Sequence, residues 1–260
     1  MATLYDTIGK SYSKTRAADP RITKRLVDLL QLPTGARLLD IGAGTGNYSC
    51  ALAAGGYQVT ALEPSRIMRD QGKKHSRLFW IAGEAESLPF ESGSFDGIVM
   101  TLCIHHFSDW RKAFEEARRV SRDGPIVVFT FDPDFESGFW LFDYFPDFVK
   151  NDREWLPKIG EMRDYFSDRL GRSMSVHRFA LPSDTVDHFA AAGWAKPELY
   201  LNETFRSGIS SFARLDEKRV ESGLAQLSED LDSGAWDRKF GYLRNCENLD
   251  VGYIFLEIIN

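Results

Sequence analysis

The sequence predicts an α/β fold in which a doubly wound, mostly parallel sheet of seven strands carries helices on both faces. Two observations predict it. Short apolar runs alternate with helical patterns from residue 37 to residue 131, and the first run, Leu38-Leu39-Asp40-Ile41, stops at Gly42-Ala43-Gly44-Thr45-Gly46-Asn47. The runs lack strict polar alternation, which suits strands covered on both faces. Repetition of strand and helix implies right-handed crossovers. A strand that ends at glycines spaced two apart and turns into a helix offers bare backbone to a nucleotide or nucleoside, since only residues without a Cβ permit such φ values and so close an approach.

Each element follows from a local signal. Leu4, Tyr5, Ile8 and Tyr12 recur at helical spacing over residues 3–16, with Arg16 at the end. Asp19-Pro20 is an N-cap followed by a first-turn proline, and Pro33-Thr34-Gly35 closes that helix. Strands are predicted at 37–41, 58–62, 78–82, 95–101 and 125–131, with helices at 47–54, 67–74 and 110–120 between them. Residues 132–180 are dense in aromatic rings with no simple period, which predicts a helical insertion forming a lid or pocket wall. Beyond it, a helix is predicted over 181–192, an alternating strand over 196–204 with Leu199, Leu201 and Phe205 on one side, helices over 208–232 and a last strand over 251–259. The two late strands form an edge pair. The chain thus divides into 1–131 as ligand-binding core with an N-terminal capping helix, 132–180 as insertion, and 181–260 as the rest of the sheet with a helical insertion near 207–248.

Composition narrows the function. A net charge of −6 without a long Lys/Arg run argues against nucleic acid and for a small-molecule partner. No stretch approaches the roughly 18 apolar residues of a membrane span. Three scattered cysteines, Cys50, Cys103 and Cys246, without CxxC spacing suit reduced thiols and no zinc site. A cytoplasmic monomer or homodimer is expected.

Two ligand classes compete for the glycine elbow. Dinucleotide folds use G-x-G-x-x-G, with a pyrophosphate on the helix N-terminus. Gly42, Gly44 and Gly46 give G-x-G-x-G instead, followed by Asn47. With its companions this pattern resembles the class I S-adenosylmethionine-dependent methyltransferases, in particular the small-molecule group called methyltransferase type 11. The resemblance covers residues 5 to about 131. It implies a Rossmann-like methyltransferase fold, S-adenosyl-L-methionine as cofactor, S-adenosyl-L-homocysteine as product, and in-line methyl transfer to a small-molecule acceptor. On that resemblance the loop Gly42–Asn47 lines the methionine moiety, Asp40 orders the loop or reaches the ammonium, and Glu63, beside Pro64, takes the ribose hydroxyls. A carboxylate can accept two charge-assisted hydrogen bonds from a vicinal diol. Met68 or Ile67 packs on adenine, and Glu84 and Ala85, within Gly83-Glu84-Ala85-Glu86, meet its edge. Tyr12 and Arg16 belong to the helix that closes over the cofactor, with Arg16 placed to pair with the methionine carboxylate.

After the fourth strand, Thr101-Leu102-Cys103-Ile104-His105-His106 occupies the strand end at which open α/β sheets bind ligands. Neighbouring histidines diverge, and no third ligand lies at useful spacing, so no metal is expected. His105 or His106 is either a general base or a packing residue. Methyl transfer relies mainly on alignment, so a base is needed for a hydroxyl and dispensable for a free amine. For the acceptor, Tyr5, Phe139, Trp140, Tyr144 and Arg206 are the candidate contacts, with Arg172 and Arg214 as further cations for an acidic group. Oxygen, nitrogen and carbon acceptors all stay open. A non-catalytic S-adenosylmethionine-binding regulator and a nicotinamide-dependent oxidoreductase are the alternatives.

Overall fold

The computed structural model describes residues 15–135 and 138–260; the segment carrying Tyr5 and Tyr12 lies outside them. The principal sheet has seven strands in the order β3-β2-β1-β4-β5-β9-β6. They are β1 (Arg37–Ile41), β2 (Gln58–Leu62), β3 (Leu78–Ile81), β4 (Gly97–Thr101), β5 (Ile126–Phe131), β6 (Ser173–Arg178) and β9 (Tyr253–Ile259). A two-stranded ribbon pairs β7 (Leu181–Pro182) with β8 (Asn248–Leu249). The first five strands of the principal sheet run parallel, and β9 runs antiparallel to both β5 and β6.

Alternate side chains of each strand feed two separate cores. Leu38, Val99, Val127, Phe129 and Phe255 face one layer with Ile22, Leu26 and Leu30 of the helix Pro20–Leu30. Leu39, Ile98, Val128 and Leu256 face the other with Phe114, Ala117 and Val120 of the helix Trp110–Val120. That two-sided burial explains why the strands read as unbroken apolar runs. β1 lies between β2 and β4, so the chain reverses its direction of winding at the end of β1, where a crevice opens. The glycine elbow begins there.

The later part of the chain departs from the sequence-based expectation in three places. The outer partner of β9 is Ser173–Arg178, within the predicted insertion, and not residues 196–204. Met174 and Val176 supply its inward face. Residues 197–201 form a 3-10 turn opened by Pro197, with Tyr200 fully buried and Leu201 turned outward, the reverse of the alternation expected there. Residues 181–192 form the ribbon strand and turns instead of a helix. Asp187 explains part of this: it is buried by pairing with residues far away in sequence, a tertiary constraint that overrides local propensity. The aromatic-rich region does contain the short helices Leu141–Tyr144, Asp147–Trp155 and Ile159–Tyr165.

Candidate active site

The elbow is built by glycine and held by β2. Gly42, Gly44 and Gly46 adopt φ of +71°, +58° and +74°, and the amides of Gly42 and Ala43 both donate to the Leu62 carbonyl. A Cβ on Gly42 would lie 2.6 Å from that of Cys103. The loop therefore bends under a cavity of about 530 Å³ that opens at the strand ends.

That cavity gathers Arg16, Asp40, Gly42, Ala43, Gly44, Thr45, Asn47, Glu63, Pro64, Met68, Glu84, Ala85, Glu86, Thr101 and Leu102. Gly46 stands behind the loop as the residue before the helix Asn47–Ala54, against Trp80. Glu63 is buried at the end of β2; its two oxygens accept the amides of Gly44 and Ser65, each at 2.9 Å. Asp40 is also buried. Its Oδ2 accepts the Ser49 hydroxyl at 2.5 Å, while Oδ1 has no hydrogen-bond partner among the described residues. Desolvation, aided by the charge of Glu63, pushes the Asp40 carboxyl up to about 7. Glu86 is engaged by the Ser108 amide and hydroxyl, at 2.7 and 2.9 Å, which fixes the loop leading to the helix Trp110–Val120.

Sequence reasoning missed several lining residues. Asp187 forms a two-pronged ion pair with Arg16 and accepts the Tyr48 hydroxyl at 2.9 Å. Thus Arg16, expected beside the methionine carboxylate, is aimed by an acid more than 170 positions away. No local signal marks such a partner. Tyr48 carried a weak one, being the second residue of the helix that follows the elbow.

A second cavity, of about 80 Å³, adjoins the first; Arg16, Leu102 and Arg214 line both. Leu102 has φ +53°, a left-handed conformation uncommon for a leucine, at the junction of the two. Phe139, Phe148, Trp155 and Tyr253 supply ring surface to the smaller cavity, and Gly208–Ser211 supply a loop. Of the aromatic acceptor candidates among the described residues, only Phe139 lines it. Trp140 is buried, donating its Nε1–H to the Trp194 carbonyl at 2.8 Å, and packs edge-on against Tyr200 and Trp236. The Tyr144 hydroxyl donates to Asp230 at 2.7 Å. Arg206 donates to the Tyr200 carbonyl, and Arg172 to the Gly124 and Arg122 carbonyls. These four hold the surrounding layer together and line neither cavity. Their types fitted a pocket, but their partners are non-local.

The two histidines divide between the cavities, His105 facing the smaller and His106 the larger. Their rings lie 3.9 Å apart. Desolvation, with the charges of Arg214 and Arg16, pushes His105 down to about 3; desolvation likewise holds His106 well below the ordinary range. Both are neutral at pH 7. Arg214 Nη2 lies 2.8 Å from His106 Nδ1, and arginine has no acceptor, so Nδ1 accepts and the His106 proton sits on Nε2.

Comparison with known proteins agrees with this architecture. A methyltransferase-domain model matches residues 39–129. A crystal structure from Anabaena variabilis, assigned as a methyltransferase of an antibiotic biosynthesis pathway, superposes with a TM-score of 0.90. It is 43% identical, with 95% of this chain and 99% of that one covered. The chain belongs to the S-adenosylmethionine-dependent methyltransferases. Among other members, the demethylmenaquinone methyltransferase of Renibacterium salmoninarum is 33% identical over 134 residues, 49% of this chain and 56% of that one. The malonyl-[acyl-carrier protein] O-methyltransferase of Erwinia pyrifoliae is 30% identical over 131 residues, 50% of each chain. The chain spans about half the length of these curated relatives. The match to the methyltransferase-domain model ends within β5, and most of the smaller cavity's wall comes from later residues.

Proposed function

We propose that this methyltransferase transfers the sulfonium methyl of S-adenosylmethionine to a small-molecule acceptor, with the larger cavity holding the cofactor and the smaller one the reacting end of the acceptor. The observation that carries the reading is the charge of the larger cavity. Asp40, Glu63, Glu84, Glu86 and Asp187 line it against Arg16 and Arg214. An acid-rich wall suits a ligand bearing an ammonium and a sulfonium and opposes the pyrophosphate of a dinucleotide. Asp40 Oδ1, which has no hydrogen-bond partner among the described residues, fits the α-ammonium, and the buried carboxylate of Glu63 at the end of β2 fits a ribose diol. Met68 and Ala85 offer apolar contact for adenine, Glu84 an acceptor for its amino group, and Arg16, oriented by Asp187, a donor for the methionine carboxylate. When bound, S-adenosylmethionine supplies an electrophilic methyl group, and the protein's task is alignment.

The chain's own residues meet that task at the strand end. Leu102 separates the two cavities, and its backbone conformation fixes where an acceptor comes to face the cofactor. Neutral His106, locked by Arg214, presents an N–H toward the larger cavity and serves as a donor, not a base. His105, with so low a pKa, is a poor proton acceptor at neutral pH. Among the described residues no helix is long and apolar enough to cross a membrane, and the free thiols Cys50, Cys103 and Cys246 suit a reducing, cytoplasmic setting. Calorimetry with S-adenosylhomocysteine and NADH tests the cofactor reading: binding of the first and not the second supports it, and the reverse removes it. A labelled-methyl screen over phenols, alcohols, amines and carboxylic acids tests transfer against a purely binding role.

A further inference from the structure

The smaller cavity is lined by one acid, Asp152, whose carboxylate has no hydrogen-bond partner among the described residues. Asp152 lies near the end of the helix Asp147–Trp155 and lines the cavity with Phe139, Phe148 and Trp155. Its backbone carbonyl accepts the Leu156 amide, but its carboxylate makes no hydrogen bond or ion pair among the described residues. The charged and titratable groups that share its cavity are Arg214, Arg16, His105 and Tyr253. Arg214 attracts it through space, while its guanidinium is engaged by His106 and stacks at 4.2 Å on Trp155. Arg16 is drawn toward Asp187, with which two of its nitrogens pair; His105 is neutral, and the Tyr253 phenol is held protonated by desolvation and by the Asp152 charge. Desolvation pushes the Asp152 carboxyl up to about 7, the Arg214 charge offsetting part of the rise.

Asp152 is half-buried and lines a cavity walled by aromatic rings, so a molecule that fills the cavity must supply the donor its carboxylate otherwise takes from water. The cavity has room for only a few water-sized groups, so it admits a compact molecule or the tip of a longer one. We propose that Asp152 receives the O–H or N–H of the methyl acceptor, which makes that acceptor an apolar molecule whose nucleophile is an alcohol, phenol or amine and not a carboxylate. The inference rests on the reading of the smaller cavity as the acceptor site. In the transfer, the proton leaving the acceptor's oxygen or nitrogen ends on the Asp152 carboxylate. The electron pair it leaves behind forms the bond to the methyl carbon, and the pair of the broken sulfur–carbon bond stays on sulfur. No oxidant or reductant is required. A general base titrating near neutrality suits that proton transfer.

The test uses phenol, benzylamine and benzoate as probes, titrated by ligand-observed NMR with and without saturating S-adenosylhomocysteine. Failure of S-adenosylhomocysteine to bind counts against the cofactor reading alone, because the probe titrations still report on Asp152. Phenol and benzylamine are expected to bind at least tenfold more tightly than benzoate. Asp152→Asn is expected to weaken benzylamine at least tenfold while leaving Tm and S-adenosylhomocysteine affinity unchanged. In the unsubstituted protein, benzylamine affinity is expected to rise between pH 6 and 8 as the carboxyl ionises, so the test stands even if the variant misfolds. Benzoate binding as well as phenol, a flat benzylamine pH profile, unaltered preferences in Asp152→Asn, or binding of none of the probes each overturns the proposal.

Discussion

The two cavities that meet at Leu102 are built in opposite ways. The larger is made mostly by one continuous stretch, β1 through the end of β4, in which backbone conformation and short motifs set the surface. The smaller draws side chains from the segment after β5, the turn near Phe189, the loop Gly208–Ser211, Arg214 and β9. A surface made by backbone constrains residue type directly: a left-handed elbow requires glycine. A surface made by converging side chains constrains shape and charge, which many sequences satisfy. The difference teaches where substitutions act. On the proposed reading, those in the first cavity change cofactor binding and those in the second change the acceptor.

Gly42→Ala is the strongest way to break the first cavity. The added Cβ must displace Cys103 and hold a positive φ, which together cost about 2–4 kcal/mol. Titration calorimetry should show S-adenosylhomocysteine affinity reduced at least about 100-fold, with a lowered Tm. Glu63→Ala comes next. It removes two acceptor oxygens from the proposed ribose site and leaves the Gly44 and Ser65 amides unpaired, so affinity should fall by roughly 10- to 100-fold.

Arg214→Gln acts at the junction and sharpens the comparison. It loses the hold on His106 Nδ1 and the stack on Trp155. Methyl-transfer kinetics should show kcat reduced by about tenfold, with S-adenosylhomocysteine affinity changed much less.

Acidity probes the larger cavity without mutation. The Asp40 carboxyl titrates near 7 in the folded chain against an ordinary 3.8. Between about pH 4 and 7 the folded state therefore holds a proton that the unfolded chain has released, and the ligand-free protein loses stability as pH rises across that window. Affinity for a cationic ligand has the opposite sign, falling up to about tenfold per unit below pH 7. Calorimetry from pH 5 to 8 should show this slope, and Asp40→Asn should flatten it. The smallest effect belongs to Tyr144→Phe, which loses one hydrogen bond to Asp230 outside both cavities. Thermal unfolding should report about 1 kcal/mol, and turnover should stay unchanged.

The same contrast explains what was legible in the sequence. Strand and helix order through residue 131, the elbow, and the acids at the ends of β1 and β2 all follow from local patterns. The strand β6 was obscured by its short alternation beside an aromatic-rich stretch, and residues 196–204 misled because Leu199 and Leu201 mimic an inward face that Tyr200 occupies instead. In the site, Asp187 and Asp152 were invisible for a shared reason. Each is an ordinary acid in sequence and acquires its importance from residues brought beside it by the fold, Arg16 and Tyr48 for one and the aromatic wall for the other. Trp140 and Tyr144 erred in the other direction: aromatic type alone cannot tell a pocket ring from a core ring.

The central claim is that one reaction site spans both cavities, with the cofactor's sulfur at the Leu102 junction. A crystal structure with S-adenosylhomocysteine tests it most directly. The sulfur should lie beside Leu102, facing the smaller cavity, with the ribose on Glu63 and the ammonium on Asp40. A sulfur directed away from that cavity, or S-adenosylhomocysteine bound elsewhere, would contradict it.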